Sequence, residues 1–550
     1  MKNKITEMVF KALNEIENKE DIIVEIPKER DMGDYAVPCF NFAKSLKKNP
    51  NQIALEVKEK IDTDDFMKIE VVNGYLNFFI KRNGFVQNTI HQILTEKDNY
   101  GFIDAGKNQT IVIDYSSPNI AKPFSVGHLR STVIGNSLRN ICQKNGYKVI
   151  GVNHLGDWGM QFGKLIVAYK RWGDEEKVKN NPVSELTKLY VKFHDEAEKD
   201  DTLNEEARVY FKKLEDNDPE CIRVWQWFRE ESLKEFNKTY QLLGITNFDS
   251  FNGEAFYNDK MQVIIDELEE KKLLVESAGA KVVMLDDLVP ALIQKKDGAT
   301  LYITRDLATA FYRKKTYNFV EALYVVGSEQ ILHFKQLKAV INKMGYQFEQ
   351  DMHHIYFGMV LQSGKKMSTR EGTAVLLHDV LLEAIERVAL YSESEEARRK
   401  IGIGAVVFND LKNYRINDVE FNLDDILKFE GETGPYVQYT YARIQSLLKN
   451  KENIMIEYSK IVINDIIWNI VFKLSHFPFI VEKAKKEYDP SLIAKYVLSL
   501  AQDFNRFYAE ERILDQDVVK KQMKLEICEA VGIVLKEGLN LLGVETIDEM

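Results

Sequence analysis

Two short stretches of this chain carry side chains suited to holding phosphate. The first is Ser116-Ser117-Pro118-Asn119-Ile120-Ala121-Lys122-Pro123-Phe124-Ser125-Val126-Gly127-His128, which follows the β-type run Ile111-Val112-Ile113-Asp114-Tyr115. It places Gly127 and His128 at the start of an expected helix, where free N–H groups and the helix dipole favour an anion. Gly127 permits close approach of a nucleotide, and His128 can donate to phosphate oxygens. The second is Gly364-Lys365-Lys366-Met367-Ser368-Thr369-Arg370, a loop of cations and hydroxyls that could hold phosphate oxygens. Together they suit chemistry on phosphate groups, in which stabilising the charge on phosphate oxygens is much of the catalytic work.

These residues need a scaffold. Strand-like runs at 111–115, 147–153, 322–327 and 353–361 alternate with helical stripes such as Leu129, Val133, Ile134, Leu138, Ile141 and Cys142. That alternation predicts an α/β fold, a Rossmann-type parallel sheet covered by helices. Residues 170–290 are charged and helical in pattern and read as an insertion between the halves of the sheet. Ahead of the sheet, residues 1–105 read as a small α+β domain. Its helix is marked by Ile53, Ala54, Val57 and Ile61, and its hairpin by Asn73-Gly74. After about 405 the strand signals fade. Val437, Tyr441, Ile444 and Leu448 form one apolar face, Ile463 to Leu474 another, and Leu492 to Phe507 a third, which predicts an all-α domain over 406–550.

Bulk composition narrows the class. A net charge of -11 excludes a generally cationic surface. Any contact with nucleic acid must then use local basic faces, and Lys44, Lys47 and Lys48 or Lys483, Lys485 and Lys486 read first as solvated helix faces. No apolar run approaches the roughly 20 residues of a membrane span, and no signal peptide is visible. Cys39, Cys142, Cys221 and Cys528 are too scattered for a disulfide framework, which fits a cytoplasmic protein, and no protein-bound structural metal is expected.

The two phosphate words resemble the His-Ile-Gly-His and Lys-Met-Ser-Lys-Ser signatures of class I aminoacyl-tRNA synthetases. Ser117-Pro118-Asn119-Ile120-Ala121-Lys122-Pro123-Phe124, Leu155-Gly156-Asp157-Trp158-Gly159, Tyr302-Ile303-Thr304-Arg305-Asp306 and Gly434-Pro435-Tyr436-Val437-Gln438-Tyr439 look like arginyl-tRNA synthetase in particular. The resemblance spans essentially the whole chain. It implies ATP-dependent ligation of L-arginine to tRNA(Arg) through an arginyl-adenylate, with Mg²⁺ arriving on ATP. It also implies an N-terminal domain on the tRNA elbow, a helical domain on the anticodon, and a monomer. Gly127, His128, Lys366, Met367, Ser368 and Arg370 would take the nucleotide. Tyr302, Asp306 and Glu254 would take the guanidinium, whose planar fork suits carboxylates and aromatic rings. Asp114, Asn119 and Gln330 would take the amino acid's polar backbone groups, with Asp157, Trp158 and Gln161 in support.

Two positions depart from the signatures. Ser125 replaces the first histidine, keeping a hydrogen bond but no cationic form. Thr369 replaces the second lysine, and Lys122, held between Ala121 and Pro123 in an expected extended segment, would compensate. Glu371 is expected to face solvent and His154 to have no catalytic role. A synthetase for another amino acid and a tRNA-binding paralogue without ATP turnover are the alternatives.

Overall fold

The computed structural model describes residues 1–14, 16–246, 248–296, 300–362, 364–366, 375–452, 454, 456–458 and 461–549. The chain divides into two compact units: 1–96 with 450–475 and 507–530, and 97–449 with 476–506 and 531–550.

The larger unit is built on a parallel sheet of β1 (Thr110–Asp114), β2 (Lys148–Val152), β3 (Glu321–Tyr324) and β4 (Met352–His354), in the spatial order β4-β3-β1-β2. Ile111, Val112 and Ile113 are wholly buried, as expected of strands covered on both faces. The registers bring Asp114, Val152, Tyr324 and His354 to one edge. Helix α1 (Leu129–Lys144) leads from β1 to β2, whereas β3 and β4 add on β1's other side. The order therefore reverses between β1 and β3, and such a sheet binds ligands in the crevice above that point. Helices α2 (Pro219–Leu242), α3 (Tyr302–Tyr317) and α4 (Ile331–Lys343) complete the surroundings of the crevice. Side chains of α3 and α4 share one apolar core with Val112, Val152, Ala322 and Tyr324.

α1 lies unusually close to the sheet. A Cβ at Gly135 would overlap the Tyr115 side chain, so only glycine allows this approach. Late-chain residues bond to α1: the Ser137 hydroxyl donates to the Leu541 carbonyl at 2.8 Å, Asn140 donates to the Asn540 carbonyl at 3.0 Å, and Lys144 pairs with Glu537 at 2.8 Å. The same unit holds helices Glu395–Leu411, Gly434–Leu448 and Phe477–Glu487, and the expected stripe Val437, Tyr441 and Ile444 is buried.

Three expectations are corrected. The run 353–361 is not one strand. It ends in the parallel sheet at His354, and Val360–Gln362 joins a separate sheet between Lys365–Lys366 and Val419–Glu420. The break falls at Gly358, where a Cβ would collide with the Asn417 carbonyl and the Asp418 carboxylate. The 170–290 segment is helical only in part: Leu274–Ser277, Ala280–Val283 and Ala291–Gln294 form an antiparallel sheet. Lys485, read as a solvated lysine, instead pairs with Glu321 at 2.6 Å and lies over the Tyr147 ring.

In the smaller unit, Tyr35–Pro38, Tyr75–Ile80 and Phe66–Val72 form an antiparallel sheet. Asn73 and Gly74 turn the hairpin with φ of 49° and 80°, the double left-handed geometry for which Asn-Gly is suited. Helix Pro50–Lys60 buries Ile53, Ala54 and Val57 as expected. Within the same unit the Trp468 indole donates to Asp34 at 3.2 Å.

Candidate active site

A cleft of about 560 Å³ opens at the carboxyl ends of β1 and β3. Its lining includes the strand ends and the residues that follow them: Asp114 at the end of β1 with Ser116 and Ser117 beyond it, His154 and Gly156 after β2, and Val325 to Gly327 after β3. The turn leaving β1 is bent hard. Ser116 and Ser117 both adopt left-handed backbone, with φ of 70° and 47°, and strain of this kind persists only where the surroundings enforce it. They do so here. The Ser116 amide donates to the Ser131 hydroxyl at 2.9 Å, and the Ser116 hydroxyl lies 2.8 Å from that of Thr132 and 2.7 Å from that of Tyr240 on α2. Ser117 donates to Asp114 at 2.8 Å and accepts from the His154 amide at 3.1 Å.

At one end of the cleft stand Gly127 and His128. A Cβ on Gly127 would meet nothing closer than the Ser125 hydroxyl at 3.4 Å, so the face of that glycine is open to a ligand. The Ser125 amide, which can only donate, points at His128 Nδ1 from 3.1 Å, and the Ser125 hydroxyl lies 3.2 Å from the same nitrogen. The Ser125 carbonyl also lies 3.3 Å from Nδ1; when Nδ1 accepts from the amide, the ring proton sits on Nε2 of a histidine that lines the cleft. Burial pushes the His128 pKa down, and the positive charge of Lys122 adds to that. The neutral donor form is thereby favoured. Ser125, which stands where the family signature has histidine, thus contacts His128 through both its amide and its hydroxyl.

The cleft also carries acids, and Asp114, Glu254 and Asp306 each have a partner. Asp114 pairs with Arg313 at 2.8 Å. Arg313 is 1% exposed. Glu254 lies 3.7 Å from Arg305, and burial pushes its pKa up to about 7. Asp306 accepts from His333 Nε2 at 2.6 Å. Tyr302 and Asp306, four apart on α3, share a face, and Tyr302 is 69% exposed at the rim. Asn119 and Gln330 complete the lining, with Asn119 lying so close to Gly156 that no Cβ fits there.

Of the residues singled out from sequence, the cleft thus gathers Asp114, Asn119, Gly127, His128, Glu254, Tyr302, Asp306 and Gln330. Ser125 acts through His128. Lys122 is not among the lining residues, and Ala121 before it takes left-handed backbone (φ 58°), so the chain turns there and is not extended throughout. Lys366 ends the Lys365–Lys366 strand, and its side chain lies outside the described atoms. Met367, Ser368, Thr369, Arg370 and Glu371 lie outside the described residues. The chain beyond them returns beside the first motif: Val126 N–H donates to the Val375 carbonyl at 3.2 Å and Leu377 N–H to that of Phe124 at 2.9 Å.

Asp157 supports the site without lining the main cleft. Its carboxylate accepts from Arg229 and from the Ala255 amide, both at 2.9 Å, clamping the loop that presents Glu254. Trp158 packs edge-on against Trp225. Sequence reasoning missed Arg305, Arg313 and His333, and assigned no role to His154, which lines the cleft. For His333 a faint signal existed, since it lies three residues after Gln330 in a helical run.

Comparison with known proteins agrees with this geometry. Residues 89–423 match the model of "tRNA synthetases class I (R), catalytic domain", residues 437–550 that of the "DALR anticodon binding domain", and residues 2–80 that of the "Arginyl tRNA synthetase N terminal domain". An arginine–tRNA ligase of an Exiguobacterium species is 54% identical over 540 residues, 96% of either chain. One from Enterococcus faecalis is 52% identical over 100% of both. The crystal structure of arginyl-tRNA synthetase from Plasmodium falciparum aligns with a TM-score of 0.82 at 26% identity, covering 100% of this chain and 98% of that one. On fold, motif order and full-length identity together, this chain belongs to the arginyl-tRNA synthetase family of class I.

Proposed function

We infer that the protein ligates L-arginine to tRNA(Arg) in protein synthesis, using ATP. The observation that carries this reading is a cleft lined by an open glycine, by His128 and by the carboxylates of Asp114, Glu254 and Asp306 among others. In the first step a carboxylate oxygen of arginine attacks the α-phosphorus of ATP, the bond to the bridging oxygen breaks, and pyrophosphate leaves. In the second a ribose hydroxyl at the tRNA 3′ end attacks the arginyl carbonyl and AMP leaves.

His128 Nε2–H would donate to a phosphate oxygen beside Gly127. Lys122, Lys366, Met367, Ser368 and Arg370 would serve the triphosphate, with Ser125 setting the ring of His128. Tyr302, Asp306 and Glu254 would hold the guanidinium, and Asp114, Asn119 and Gln330 the amino acid's polar backbone groups. Mg²⁺ would enter with ATP, held mostly by phosphates and water. Residues 1–105 would bind the tRNA elbow, 106–405 run the chemistry and 406–550 bind the anticodon, in a cytoplasmic monomer. Arginine-dependent ATP–pyrophosphate exchange and tRNA charging, each measured with and without tRNA(Arg) where the assay allows, test the reading. Exchange that lysine supports as well as arginine, or no exchange even with tRNA present, would refute it.

A further inference from the structure

Three carboxylates of the cleft, those of Asp114, Glu254 and Asp306, have internal partners, and the three partners differ in kind. Arg313 is sealed beneath Asp114, and Arg305 stands 3.7 Å from Glu254. The Asp306 pair is the most open: His333 and Asp306 have side chains 23% and 32% exposed, yet they meet at 2.6 Å. His333 is the third residue of α4, and its ring is braced edge-on at 5.7 Å by Phe334. Phe334 is itself stacked on His354 at 4.4 Å. The imidazole therefore has little freedom, and its Nε2–H occupies one side of a carboxylate that could otherwise rotate. A carboxylate offers about four acceptor sites, so one bond from His333 leaves the others for a ligand while fixing where they point.

We propose that His333 is a positioning residue for arginine selection, holding Asp306 so that its remaining acceptor sites match a planar guanidinium. This rests on the reading of the cleft as an arginine pocket. A fork of N–H donors needs oriented oxygens, whereas the compact ammonium of lysine is served by an unoriented carboxylate nearly as well. His333 thus acts on specificity more than on rate.

The test compares wild type with His333→Phe, His333→Ala and His333→Gln in arginine- and lysine-dependent ATP–pyrophosphate exchange with tRNA(Arg) present. Wild-type exchange with arginine establishes the pocket itself, and its absence would sink the functional reading before this proposal is reached. The Phe and Ala variants, which lack the donor, should raise KM for arginine about tenfold. Their kcat and KM for ATP should stay within about twofold, and their preference for arginine over lysine should fall. His333→Gln, whose amide nitrogen reaches a similar place, should recover most of the loss. An unchanged or lowered KM for arginine in both donor-less variants would overturn the proposal, the latter by showing that His333 competes with the ligand. Equal effects on arginine and ATP, or no recovery with Gln, would reduce His333 to a structural residue and overturn it too.

Discussion

Asp306→Asn removes one charge and almost no volume from the arginine end of the cleft. His333 Nε2–H sits 2.6 Å from the carboxylate and requires an acceptor, so the new amide will turn its oxygen toward His333. Its NH₂ group then faces the pocket, donor against donor, where the guanidinium would bind in the proposed reading. Losing one partner of a desolvated charge pair costs about 2–5 kcal/mol. The Asp306 side chain is 32% exposed, so solvent relieves part of this and the lower half of that range applies. A loss of about 3 kcal/mol corresponds to roughly a hundredfold rise in KM for arginine. The nucleotide end should be spared, because Gly127 and His128 lead into α1 whereas Asp306 lies on α3, which shares its core with α4. The assay is ATP–pyrophosphate exchange with tRNA(Arg), titrating arginine at saturating ATP and then the reverse. A rise in arginine KM of less than about threefold would refute the role given to Asp306. An equal rise for both substrates would point to a general folding defect.

Three further outcomes follow from the same geometry. Ser125→Ala should slow exchange by less than about tenfold, because the backbone amide of residue 125 still holds His128 Nδ1, whereas His128→Ala should cost about a hundredfold or more in kcat. If the Ser125→Ala rate equals wild type, the hydroxyl has no part in the site. Glu254 has its pKa raised to about 7 by burial, so the folded protein keeps a proton there that the unfolded chain has released, and stability falls as pH rises from about 4.5 to 7. Thermal unfolding of Glu254→Gln should show a smaller drop in Tm between pH 5 and pH 8 than wild type, reflecting up to about 3 kcal/mol, and an identical drop would show that Glu254 is not the source. Gly135→Ala should lower Tm by the equivalent of about 1–3 kcal/mol, since the added methyl overlaps Tyr115, and an unchanged Tm would mean that α1 can shift outward freely.

What the sequence disclosed divides along physical lines. Local signals were legible: the apolar run Ile111 to Ile113, the Gly127-His128 helix start, and the Asn73-Gly74 turn are each set by a few neighbouring residues. Tyr302 and Asp306 were legible through the resemblance of Tyr302-Ile303-Thr304-Arg305-Asp306 to the family's motif, supported by the four-residue spacing that puts them on one helix face. The hairpin around Ala278-Gly279 was not legible. Both residues take left-handed backbone, with φ of 50° and 81°, but alanine seldom does so and gives no turn signal. The strand at 353–361 was overextended because its pairing with β3 ends at His354, while Val360 and Leu361 pair instead with Val419 and Glu420, which are distant in sequence. Arg313 shows the limit most plainly. Its helix says only that it is a charged residue near a C-terminus, and its burial against Asp114 exists only once β1 and α3 have been brought together.

The bonds on the outer side of α1 have a consequence for how the protein is made. Ser137 donates to a carbonyl that lies 404 residues further along the chain, and Asn140 and Lys144 reach comparably late segments. Synthesis proceeds from the N-terminus, so the helix carrying the phosphate-binding motif leaves the ribosome long before the residues that brace it. A partly translated chain lacks these bonds to the outer side of α1 until residues 537–541 have been made.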